Sequence, residues 1–156
     1  MNLEDAIKQK VPFNSARERA AVNLIFTHNW LVAKTKELFK PYDITSQQFN
    51  VLRILRGQYP EPITTSEIRC RMLDRMSDVS RIVDRLVKKE FVDRHICQSD
   101  KRLVDVVINS KGLALLEEMD NVNLEIQTLM DNLTEEEAQT LNELLDKARS
   151  NQKLGC

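Results

Sequence analysis

Residues 77–112, SDVSRIVDRLVKKEFVDRHICQSDKRLVDVVINSKG, change period once and carry a knot of charge in the middle. The first part is helical. At about 100° per residue, Val79, Ile82, Val83 and Leu86 form one apolar stripe, while Ser77, Arg81, Asp84 and Lys88 point the opposite way, flanked by Ser80 and Arg85. Beyond Glu90 the pattern becomes strand-like. Phe91 and Val92 start one run that Ile96 continues, and Val104, Val106 and Ile108 alternate with Asp105 and Asn109 in a second. The knot Asp100-Lys101-Arg102 lies between the two runs and is therefore the tip of a hairpin. The stretch predicts a helix that feeds directly into a small hairpin with a cationic tip.

The outward face of that helix has the chemistry of a base-reading surface. Arginine can give a bidentate hydrogen bond to the guanine edge in the major groove, and serine reaches bases or phosphates without bulk. A bare carboxylate on such a face would be repelled by phosphate. Asp84 is expected to hold the Arg81 guanidinium, because Arg81 lies three residues before it and Lys88 four after, on the same face.

Working outward, the chain reads as helices with clean punctuation and only three glycines. A long helix is predicted over residues 15–39, ending before Pro41. Thr45 with Gln48 forms a capping box that opens a helix closed by Gly57, and Thr64 with Glu67 opens another through about Leu73. After the hairpin, Asn109 or Ser110 caps a helix carrying Leu113, Leu116, Met119, Ile126, Leu129 and Leu133, and Thr134 with Glu137 caps the last one. The fold class expected is mainly α with a small β-hairpin.

At 156 residues, 42% hydrophobic and 30% charged, the chain (1–156) is expected to be a single domain with a sizeable core. Its net charge of −1 hides a partition: residues 1–65 and 66–102 are each net +3, whereas residues 103–150 are net −8. One half is suited to a polyanion and the other is repelled by it. No apolar run is long enough to span a membrane, and the first residues lack a signal-peptide core. Cys70, Cys97 and Cys156, an odd number at unrelated spacings, encode neither a disulfide framework nor a zinc site, and a cytoplasmic setting fits them.

The run from Ile44 to Gly112 resembles the winged helix-turn-helix domain of the MarR (multiple antibiotic resistance regulator) family. The matches are ITSQQFNVLRIL and ITTSEI for the first two helices of the module, SDVSRIVDRLVKKEFVDR for the recognition helix and first wing strand, and DKR followed by a strand and INSKG for the wing and its exit. The resemblance implies a DNA-binding module at 44–109 and dimerisation helices at 11–40 and 110–150. It assigns double-stranded DNA as the partner of Ser77, Ser80, Arg81, Arg85, Lys88, Asp100, Lys101 and Arg102, with Arg102 entering the minor groove and Asp100 holding it. It also implies a homodimer and a small-molecule effector, for which His28 and Trp30, near Phe26 on the first long helix, are the candidate pocket residues. The family's glycine between recognition helix and wing is Glu90 here, so the helix is expected to end without the easy left-handed turn that glycine supplies.

No Ser-His-Asp, Cys-His, metal-ligand or phosphate-loop constellation supports an enzyme, and no cofactor is expected. The expected function is a homodimeric, sequence-specific transcriptional regulator, a ligand-responsive repressor on a pseudo-palindromic operator. The alternative is a winged-helix module that binds another protein without specific DNA binding.

Overall fold

The computed structural model describes residues 1–96 and 104–150. The chain groups into two compact units, Met1–Leu38 and Phe39–Cys156. In the first unit, α1 (Leu3–Ala6) is capped by Asn2, whose side chain accepts from the Asp5 N–H at 2.9 Å. The long helix α2 (Ala16–Phe39) begins where the Ser15 hydroxyl accepts from the Glu18 N–H at 3.1 Å. Arg19 ties the two helices together, donating from Nε and Nη2 to the two oxygens of Glu4 at 2.5 and 3.0 Å. That hydrogen bond lowers the Glu4 carboxyl to about 2.

The second unit holds the core. After the 3-10 turn Lys40–Tyr42 come α3 (Ser46–Arg56), β1 (Ile63–Thr64), α4 (Thr65–Arg71), α5 (Val79–Lys88), β2 (Val92–Ile96), β3 (Val104–Ile108), α6 (Ser110–Glu118), α7 (Asp120–Thr128) and α8 (Glu135–Arg149). All three expected capping boxes form, at Thr45/Gln48, Thr64/Glu67 and Thr134/Glu137. Asn109 caps α6 by accepting from the Gly112 N–H at 3.1 Å. The apolar stripe of α5 is buried through Val79, Val83 and Leu86, together with Leu52 and Leu55 of α3, Ile68 of α4 and Val106 and Ile108 of β3. Each such side chain contributes about 1.5–3 kcal/mol by leaving water.

The expected hairpin forms from β2 and β3 with one strand added, and two further expectations need correction. The sheet has three strands in the order β1-β3-β2, all antiparallel, because Ile63 and Thr64 pair with Val106 and Asp105 on the free side of β3. The helix expected to run unbroken from Asn109 to Leu133 divides at Met119, which turns the chain between α6 and α7 while staying buried. Cys70, on α4, is disulfide-bonded, against the expectation that the cysteines encode no disulfide framework. Cys97 and Cys156 lie outside the described residues.

The end of α5 also departs from expectation. Glu90 takes the left-handed conformation itself, at φ 62°. Its N–H donates to Val87 O at 2.9 Å and the Phe91 N–H to Leu86 O at 3.0 Å, a complete Schellman closure built without glycine. Lys111 grips the Glu90 carboxylate at 2.9 Å, and its ammonium stands 5.5 Å from the centre of the Phe91 ring. Phe91 O in turn accepts from the Asn109 N–H at 3.2 Å. At Gly112 a Cβ would overlap Phe91 O and stand 2.7 Å from Ile108 Cγ1, so only glycine lets α6 start this close to β2.

Gly112→Ala should therefore destabilise the fold by about 1–3 kcal/mol in urea titration, through overpacking against backbone that cannot yield. Glu90→Gly should raise the melting temperature, by relieving a left-handed residue with a Cβ. The Lys111 hydrogen bond, followed by its Coulombic attraction, lowers the Glu90 pKa below 4.5. The stabilisation this supplies is present above pH 4.5 and is lost as pH falls through the lowered value. The advantage of the glycine variant over the parent should accordingly be larger at pH 3 than at pH 7, as thermal unfolding at the two pH values will show.

Candidate nucleic-acid interface

Helices α4 and α5 are joined by the turn Met72–Asp78, and the start of α5 is set by two carboxylates. Asp78 is the N-cap, accepting from the Arg81 N–H at 3.1 Å. Asp74 organises the turn before it: Oδ1 accepts from the Met76 N–H at 3.0 Å and Oδ2 from the Ser77 hydroxyl at 2.9 Å. Asn50 of α3 completes the frame by accepting from the Leu73 N–H at 2.9 Å. Asp78 thus stands at the N-terminus of α5, where it complements the helix dipole.

On α5 the buried and exposed faces separate as the helical wheel requires. Ser80, Arg81, Arg85 and Lys88 are exposed, opposite Val79, Val83 and Leu86. Ser77 lies in the turn rather than on the helix, half-buried, with its hydroxyl donated to Asp74. A shallow cleft between the start of α3 and α5 brings Ser77, Arg81 and Arg85 together with Thr45 and Gln47. Asp100, Lys101 and Arg102 lie outside the described residues. His28 and Trp30 are exposed on α2, in the first unit.

Asp84 pairs differently from the expectation. It binds Arg94 of β2, not Arg81 of its own helix. Two features make this pairing accessible: β2 leaves α5 immediately after the left-handed closure at Glu90, and Arg94 is exposed on the strand. The pair spans a helix and a strand, so no spacing rule within one helix could reveal it. Asp74, Asp78 and Arg94 are the residues that inspection of the sequence missed. An aspartate three residues before Arg81 was the available signal for the cap.

A helix, a tight turn, a second helix whose outer face is basic, and a β-sheet directly after it define a winged helix-turn-helix. The family model for MarR matches residues 44–104. The multiple antibiotic resistance protein MarR of Escherichia coli (strain K12) is 36% identical over 113 residues, covering 71% of this chain and 77% of that protein. The transcriptional repressor IacR of Pseudomonas putida is 30% identical over 120 residues, covering 76% and 71%. In three dimensions the chain is similar to the crystal structure of a mutant MarR from E. coli complexed with operator DNA, with a TM-score of 0.72 at 29% identity, covering 95% of this chain and 99% of that one. The chain belongs to the MarR family of winged helix-turn-helix transcription regulators, which are not enzymes.

The Asp84–Arg94 pair is half exposed, with 51% of each side chain accessible, and such pairs contribute at most about 1 kcal/mol. Arg94→Ala should therefore change urea stability little but raise amide exchange along β2. Arg81→Ala should leave that exchange unchanged. Equal exchange in the parent and in Arg94→Ala would show that the pair does not hold the strand.

Proposed function

We propose that this protein is a homodimeric, sequence-specific DNA-binding regulator that acts as a ligand-responsive repressor in the cytoplasm, on a pseudo-palindromic operator. The observation that carries the reading is the outward face of α5. Four exposed polar or cationic residues, Ser80, Arg81, Arg85 and Lys88, project from a helix whose other side is locked into the core. Such a helix can enter the major groove with its N-terminal residues at base edges. The segment 44–109 is then the DNA-binding module. By the family resemblance, Arg102 inserts in the minor groove, Asp100 holds it and Lys101 meets phosphate.

Dimerisation falls to 11–40 and 110–150. It is supported by apolar side chains exposed in the single chain: Leu24, Ile25, Phe26, Trp30 and Val32 on α2, Leu124 on α7 and Leu144 on α8. So much exposed apolar surface on each unit supports association through these helices. A two-fold dimer presents two recognition helices to half-sites about one helical turn apart. His28 and Trp30, on the same helix, are the proposed effector-sensing residues. A releasing compound must bind the free dimer more tightly than the DNA-bound one.

The test begins with selection of duplexes from a random pool at stated salt, followed by anisotropy titrations. Arg81→Ala should weaken binding to the selected operator by about 1–3 kcal/mol and relax preference at one position per half-site. Log affinity should fall steeply with log salt, and Lys101→Ala should reduce that slope by about one, for the phosphate it no longer neutralises. A folded monomer in sedimentation at micromolar concentration, or binding indifferent to sequence and salt, would refute the proposal.

A further inference from the structure

Two large apolar side chains stand almost wholly in solvent in the turn before α5: Leu73 is 90% exposed and Met76 is 93% exposed. Single exposed apolar residues are ordinary, but these two sit in a turn held rigidly by the hydrogen bonds from Leu73 to Asn50 and from Met76 and Ser77 to Asp74. The backbone that presents them is ordered before any partner arrives, so docking costs little conformational entropy there. Met72, next in sequence to Leu73, is buried, which separates the core-filling residue of this turn from the outward pair.

The setting narrows the occupant. Met76 precedes the N-cap Asp78 by two residues, at the end of α5 that approaches base edges in a helix-turn-helix. Exposed Arg81 and Arg85 follow it on the helix, so whatever covers Met76 must also accept a strongly cationic border. Asp74 and Asp78 keep their negative charge, but their oxygens are directed into the turn and at the start of α5, leaving the guanidinium groups of Arg81 and Arg85 to meet the partner. A polyanion with apolar groups on its floor meets both demands. The major groove has one apolar group on its base edges, the C5-methyl of thymine.

We propose that Met76, supported by Leu73 in the same turn, reads thymine C5-methyl groups in the major groove. The inference rests on the DNA-binding reading above and adds a second mode of readout to it. The arginines donate hydrogen bonds to guanine acceptors. The methionine, unbranched and polarizable, adapts its three torsions to the methyl surface. Removing one methyl from such a contact loses about one methylene of burial, equivalent to roughly a fourfold change in affinity.

The experiment uses the full-length protein and duplexes carrying its selected operator, in which each thymine is replaced in turn by deoxyuridine, which pairs identically but lacks the methyl. The parent should lose about fourfold at one or two positions per half-site. Met76→Ala should bind the thymine operator about as weakly as the parent binds the substituted one, and should no longer distinguish thymine from deoxyuridine there. Met76→Leu should restore most of the discrimination. Specific binding by the parent with no methyl effect at any position, or an undiminished effect in Met76→Ala, would overturn this inference while leaving the DNA-binding reading intact. Absence of any specific DNA binding would overturn both. A Leu73→Ser/Met76→Ser variant whose oligomeric state differs from the parent in sedimentation would identify the patch as a protein interface and also overturn the inference.

Discussion

The peptide unit between Glu90 and Phe91 joins three elements at one point. Its N–H closes α5 onto Leu86, its residue Phe91 begins the approach to β2, and the Phe91 carbonyl receives the Asn109 N–H at the start of α6. The Glu90 carbonyl also accepts from Asn109 Nδ2 at 2.9 Å. One asparagine thus caps its own helix through Oδ1 and anchors the end of another through Nδ2. The absent Cβ of Gly112 is what allows these groups to meet. If this junction were looser, the direction in which the strands leave α5 would not be set. Everything proposed for the outer face depends on that direction.

From the junction outward, the exposed side of α5 and the turn before it are organised largely by carboxylates. Asp74 shapes the turn, Asp78 caps the helix and Asp84 holds a strand arginine. Each acid is used by a backbone N–H, a hydroxyl or a guanidinium, so this basic surface carries acids without presenting them as bare charge. The same rule applies to Gln48, the one polar residue in the buried set among the described residues, whose Oε1 accepts from the Thr45 N–H at 3.0 Å. Buried or semi-buried polarity is satisfied locally, as interiors require.

What could be read in the sequence was local, and what could not was nonlocal. The boxes at Thr45, Thr64 and Thr134 depend on residues three apart, and all three form. The stripe Val79, Val83, Leu86 depends on helical period alone and is buried as expected. Strand β1 has two residues, too few to show alternation, and exists because β3 offers it a free edge. The division at Met119 was hidden because apolar spacing continues through it; Met119 stays in the core while the backbone turns. The partner of Asp84 lay on another element, and the helical wheel pointed to the wrong arginine. Glu90 was read as the loss of a left-handed turn, whereas Lys111, twenty-one residues on, grips its side chain in that turn. On the outer side of α5, the exposure of its polar residues was legible and the groups that set the turn and the strand beside them were not.

The Asp84–Arg94 pair links α5 to β2 across the turn at Glu90, and if it holds the strand the two elements move as one stiff body. A stiff body of this kind acts as a ruler: the interval it spans is written in the protein and does not stretch to suit the duplex. Any discrepancy between that interval and the spacing of the grooves must then be absorbed by the DNA, as twist, bend or altered groove width. Base steps that deform readily make this adjustment at lower free energy than stiff ones. On the DNA-binding reading proposed above, such a ruler would discriminate among sequences at positions where no protein atom touches a base.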